Sequence, residues 1–142
     1  MSILGNSSAM NFVATAKPAE ARAFYEGVLG LTFVEDSPFA LVFDLHGTML
    51  RIQKVSEVVA RPYTALGWQV ADIHAAVQEL TAAGVEFMRV ESLPQDNLGI
   101  WATPDGSAVA WFKDPDGNTL SLAQLAAGEV EPPPNQTGPG GA

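Results

Sequence analysis

Cysteine is absent from this 142-residue chain, which excludes thiolate catalysis, zinc–sulfur centres and disulfides and leaves the redox compartment unreadable. Basic side chains are scarce. Seven Lys and Arg stand against sixteen Asp and Glu, a formal charge of −9, which opposes binding to nucleic-acid phosphates or an anionic membrane. A neutral or cationic small ligand suits that balance. Histidine is limited to His46 and His74. No apolar run reaches the length of a membrane span. The N-terminal MSILGNSSAM has neither the charged start nor the apolar core of a signal peptide, so a cytoplasmic protein with no membrane partner is expected.

The apolar content, 47%, is enough for one ordinary domain or two small modules sharing a core. The stretch Ser107–Gln124, SAVAWFKDPDGNTLSLAQ, reads as a β-hairpin: Pro115 sets its own φ for the turn, and Gly117 and Asn118 can take positive φ. Phe39–Gln53, FALVFDLHGTMLRIQ, is a second, more worn copy. With Gly47 set over Gly117, Leu50 and Ile52 fall over Leu120 and Leu122, and Arg51 falls over Ser121.

The rest of the chain repeats in step. A strand at Asn11–Thr15 leads to a helix over Ala19–Leu29, opened by Pro18 and closed by Gly30, then a strand at Leu31–Glu35 and the first hairpin around His46-Gly47. The pattern restarts with a strand at Leu66–Val70, a helix at Ile73–Ala83 capped by Asp72 and ended by Gly84, and a strand at Val85–Val90. An irregular polar segment holding Trp101 precedes the final hairpin. The order βαβββ thus occurs twice, with a period of about 54 to 55 residues and a one-residue slip between strand and helix. The expected organisation is a flexible lead at 1–9, module one at 10–54, a linker at 55–64, module two at 65–125 and a disordered Pro/Gly-rich tail at 126–142.

The segments AEARAFYEGVLGL, VADIHAAVQELTAAGVEF and AWFKDPDGNTLSL, in this order among strands, resemble the vicinal oxygen chelate superfamily of glyoxalase I, extradiol dioxygenases and fosfomycin- and bleomycin-resistance proteins. The resemblance implies an α+β fold of two βαβββ modules forming a curled mixed sheet around a concave cavity, with helices outside. It also implies a homodimer, and in the active members a divalent metal held by His, Gln or Glu. The matching positions here are Met10 and Ala65 on the first strands and Arg51 and Ser121 on the last. Thioether, methyl, guanidinium and hydroxyl groups make a poor donor set, so neither metal nor other cofactor is expected.

Strand alternation puts Arg51 on one face with Met49 and Gln53, Ser121 with Thr119 and Ala123, and Gln69 with Ala65 and Gly67. Leu50, Ile52, Leu66, Trp68, Val70, Leu120 and Leu122 then pack under the helices. Trp101 and Trp111 are candidate cavity walls, each with the competing reading of a core plug, which weighs more for Trp111. His46 and His74 are read as turn and helix-surface residues, Asp114 and Asp116 as a solvated Asx-turn, and Lys113 as an exposed strand end. The candidate ligand-binding residues are Arg51, Gln53, Gln69, Trp101, Trp111 and Ser121; no catalytic residue is assigned. The expected function is binding of a small molecule in a metal-free cavity, of sequestration or resistance type. A glyoxalase-like lyase or dioxygenase-like enzyme with an atypical metal site, Arg51 acting as an oxyanion clamp, is the alternative, and an interaction module is the third.

Overall fold

A computed structural model describes residues 2–126. The tail expected at 126–142 lies outside the described residues except for Ala126, whose N–H donates to Ser107 Oγ at 2.9 Å. Two four-stranded mixed sheets form the frame. In the first, β1 (Met10–Thr15), β4 (Thr48–Lys54), β3 (Ala40–Leu45) and β2 (Thr32–Asp36) lie side by side in that order; in the second, β5 (Thr64–Gln69), β8 (Thr119–Gln124), β7 (Ala108–Lys113) and β6 (Trp101–Ala102) do the same. Within each sheet the first and last strands of the module run parallel, and the hairpin pairs antiparallel. The sheets meet along β1 and β5, and one apolar core runs beneath both. The architecture is α+β, with two curled, unclosed sheets of βαβββ type, as expected.

Alternation along the strands explains how the core is shared. Val13, Leu50, Ile52, Leu41 and Phe43 from one sheet, and Leu66, Leu120, Leu122, Ala110 and Phe112 from the other, point to the helix side and are buried. Tyr25 from the first helix and Ile73 and Val77 from the second, α2 (Ile73–Ala82), cover them. Asp72 caps α2 by accepting the Ala75 N–H at 3.1 Å, and Gly84 leaves it with φ 103°. At the first hairpin both loop residues have positive φ, His46 at 51° and Gly47 at 99°, the geometry a two-residue loop needs to match the strand twist.

Three elements depart from the sequence reading. The helix α1 is regular only over Pro18–Arg22 and continues over Ala23–Val28 as a π-helical turn, with Leu29 N–H donating to the Phe24 carbonyl. Such a turn accommodates one extra residue. It accounts for the slip in the repeat. Phe12 and Gly67 stand at equivalent places on β1 and β5, opposite Arg51 and Ser121, yet Gly30 lies one residue further from Phe12 than Gly84 does from Gly67. The strand expected at Val85–Val90 does not form. A single backbone bond, Met88 N–H to the Trp111 carbonyl, ties this stretch to β7, and Trp101–Ala102 pairs with β7 as the edge strand instead. At the second hairpin only Gly117 takes positive φ; Asn118 does not.

The second hairpin overturns the reading of Asp114 and Asp116 as a solvated turn. Asp114 is only 6% exposed. Its carboxylate accepts the Tyr25 hydroxyl at 2.7 Å, the Asn118 side-chain and backbone N–H groups at 2.9 Å each, and the Asp116 N–H at 2.9 Å. The Asn118 amide also donates to the Ala14 carbonyl, and Asp116 accepts from the Thr15 hydroxyl and the Ala16 N–H. A buried carboxylate is tolerable only with such a set of donors. The turn of module two is thereby fastened to the helix and first strand of module one.

Burial, and then the neighbouring Asp114 carboxylate, hold the Tyr25 phenol far above its ordinary pKa. The folded-state value is the higher one, so the resulting stability is complete below the unfolded pKa of about 10 and declines as pH rises past it. Tyr25→Phe should cost about 1–3 kcal/mol in chemical denaturation at neutral pH, against less than ~0.5 kcal/mol for a change in a solvated turn. The difference between the parent and Tyr25→Phe should shrink steadily above about pH 10; a constant difference there would show that the phenol ionises in the folded protein as it does in the unfolded one.

Candidate functional site

The face of the sheets turned away from the helices is the candidate site. On module one, Phe12, Arg51 and Val42 stand in one row across β1, β4 and β3, with Met10 and Met49 paired in the row beside it. Phe12 and Met10, on the edge strand β1, are 49% and 47% exposed, and so add apolar surface to this face. Arg51 is half-buried among them and Gln53 is exposed at the strand end.

On module two, Gly67, Ser121 and Trp111 form the equivalent row across β5, β8 and β7, and Gln69, Ala123, Val109 and Trp101 form the next. Trp111 is half-buried, and its strand neighbours Ala110 and Phe112 take the core positions instead, so it is not a core plug. Its ring lies nearly parallel to that of Trp101, with centroids 6.1 Å apart and an interplanar angle of 23°. Loop chemistry holds Trp101 in place. The Gln95 side chain donates to the Met88 and Gly99 carbonyls and accepts the Val90 N–H, and the Asp96 carboxylate accepts the Leu98 and Ile100 N–H groups. Beyond Trp101, the Thr103 hydroxyl and Ser107 N–H bind Asp105 and keep its carboxyl below the usual range.

By strand alternation all six expected residues belong to rows of this face, Arg51 and Gln53 on module one and Gln69, Trp101, Trp111 and Ser121 on module two. Gln53 and Gln69 stand at strand ends, and Gln69 also borders a groove on the helix side. His46 sits in the first hairpin turn; His74, on α2, has Nε2 3.7 Å from Asp96 Oδ2, and its side chain is exposed.

The sequence reading left out Phe12, and it placed Gly67 on this face without pairing it with Ser121. Phe12, not Met10, is the cross-strand neighbour of Arg51, and Gly67, not Ala65, is that of Ser121; Ala65 lies in a bulge between the pairs Thr64–Thr119 and Leu66–Leu120. Alternation within MNFVAT was the available signal for Phe12. Gly67 left a subtler one, a glycine inside a strand, which marks close approach. A Cβ there would lie 2.8 Å from Ser121 Oγ.

The divalent metal that the family resemblance implies does not fit these side chains. Ser121 offers one neutral hydroxyl, Arg51 brings a fixed positive charge, and Phe12 and Gly67 offer nothing. Among the described residues no three His, Asp or Glu converge. What the face can supply is apolar and aromatic surface with one guanidinium, one hydroxyl and bare backbone at Gly67.

Gly67→Ala should destabilise the protein by about 1 kcal/mol through the collision with Ser121, and Ser121→Ala should relieve it, so the double variant should be more stable than the sum of the single changes. Strict additivity in denaturation experiments would mean that the two residues do not meet.

A family model described as Glyoxalase/Bleomycin resistance protein/Dioxygenase superfamily matches residues 9–122. No curated protein matches the chain in sequence. Among solved structures, a bleomycin-binding protein complexed with bleomycin superposes with a TM-score of 0.66 at 19% identity, covering 85% of this chain and all of its own. A glyoxalase family protein from Enterococcus faecalis gives 0.66 at 20% identity, covering 86% of this chain and 100% of its own. A lactoylglutathione lyase from Agrobacterium tumefaciens gives 0.61 at 22% identity, with 88% and 98% covered. At such identities the likeness is one of fold. The family model spans nearly all of the described chain, and the chain belongs to the glyoxalase/bleomycin resistance protein/dioxygenase superfamily.

Proposed function

We infer that the chain binds a small planar molecule on its open sheet face without a metal, in the manner of a sequestration or resistance protein. The observation that carries this reading is the Trp101–Trp111 pair, two near-parallel indoles on the ligand-facing side of a sheet whose core is filled by other residues. Rigid aromatic surface of this kind suits stacking, and a pocket of apolar walls with a few polar groups is the common form of a small-molecule site. Arg51 favours a carbonyl or an anionic group on the ligand. The fold likeness to a bleomycin-binding protein supports the ligand class in its general form. A homodimer, carried over from the family, belongs to the same proposal.

Elemental mass spectrometry after incubation with zinc, nickel, manganese and iron(II) and desalting should find far less than one metal per chain. Near-stoichiometric metal would favour the lyase or dioxygenase reading. Tryptophan fluorescence should then be followed during titration with bleomycin and with the anionic aromatic 8-anilinonaphthalene-1-sulfonate. Trp101→Ala should remove most of the quenching, and Arg51→Ala should weaken the sulfonate by about tenfold or more, the loss of ~1.5–3 kcal/mol expected of a charge-assisted hydrogen bond. Unchanged sulfonate affinity would take Arg51 out of the site; unchanged quenching would take out Trp101.

A further inference from the structure

The internal repeat gives the molecule two equivalent junctions between a helix and the other module's hairpin, and they differ. At one, Tyr25 meets Asp114. The corresponding residues at the other are Glu79 on α2 and Asp44 before the first hairpin turn, two carboxylates that cannot form the same bond. Here the surface is open. A groove of about 230 Å³ runs between α2 and the segment after α1, walled by Leu29, Leu31, Trp68, Leu80 and Phe112, with Glu79 among its lining residues. A second groove of about 360 Å³ shares Leu31 and Trp68 with it and includes Asp44 and His46. Neither is lined by Lys or Arg, and Glu79 makes no ion pair among the described residues.

We propose that this groove is a second small-molecule site, selective for a compact apolar or aromatic amine. The half-buried leucines and Trp68, whose ring stacks on Phe112, would lose water on contact with the hydrocarbon part. The carboxylate of Glu79, with that of Asp44 beyond it, complements the ammonium, whereas an anion would meet only like charge. The volume is below the range for drug-sized ligands and fits a molecule of fragment size. Phe112 and Leu122 face this groove, whereas Trp111 and Ser121 face the opposite side of the same strands, so the two sites lie on opposite faces and share only Gln69, at the end of β5.

The test is an NMR titration of the full chain at about pH 8. The three probes are 2-phenylethylamine, neutral 2-phenylethanol and anionic 3-phenylpropionate. Saturable shifts of the Trp68 indole N–H and of Leu31 and Leu80 are expected, with the amine binding about fivefold more tightly than the alcohol and the acid weakest. Glu79→Gln, a change at an exposed position, should bring amine and alcohol level. The proposal is overturned by equal affinity for all three probes, or by amine shifts confined to the Trp101 and Trp111 indoles. It is equally overturned if groove signals move with protein concentration alone, since a second copy of the chain would then occupy the groove.

Discussion

The Asp114 carboxylate is the point on which the arrangement of the two modules turns. Removed from water, it would be strongly unfavourable on its own, and the fold answers with a phenol from α1, an amide from Asn118 and two backbone N–H groups. Those donors come from both modules. The bond can be made only when the helix of one half and the hairpin of the other are seated together. Asp116 extends the attachment to the end of β1 through Thr15 and Ala16. The apolar core holds the layers together without fixing their relative position, and this polar cluster supplies the direction that hydrophobic contact lacks.

With that junction closed, the open face of the sheets carries the side chains on which the proposed function rests. Arg51 and Phe12 stand on one half, Ser121, Trp111 and Trp101 on the other, and Gly67 exposes backbone between strands that otherwise present side chains. The paired positions Phe12–Arg51 and Gly67–Ser121 carry an aromatic ring, a cation, a hydrogen atom and a hydroxyl. The scaffold is that of the superfamily, while the side chains on this face are of types suited to the proposed stacking and anion or carbonyl contact, in line with the principle that a fold hosts sites without dictating them.

Much of the fold was legible because its signals are local. Gly30, Gly84 and the His46-Gly47 turn mark places where few residues other than glycine fit, and alternation assigned Leu50, Ile52, Leu120 and Leu122 to the core correctly. The misses have a common cause in long-range contacts. Asp114 reads as a solvated turn residue until Tyr25, 89 positions away, is brought to it. Val85–Val90 has the composition of a strand, but Trp101–Ala102 takes the place beside β7. The site was legible as a face. The pairing of Phe12 with Arg51 and of Gly67 with Ser121 was not, because it rests on the register with β4 and β8, which no local pattern specifies.

The π-helical turn at Ala23–Val28 and the tyrosine within it carry a consequence for how the halves know one another. The helix of module one offers a phenol and the hairpin of module two a carboxylate, whereas two copies of module one would bring Tyr25 to Asp44 in a short turn with no asparagine beside it. Two copies of module two would set Glu79 against Asp114. The repeat has diverged into unlike contact residues, and of these pairings only the observed one, Tyr25 with Asp114, sets a hydroxyl donor against a carboxylate.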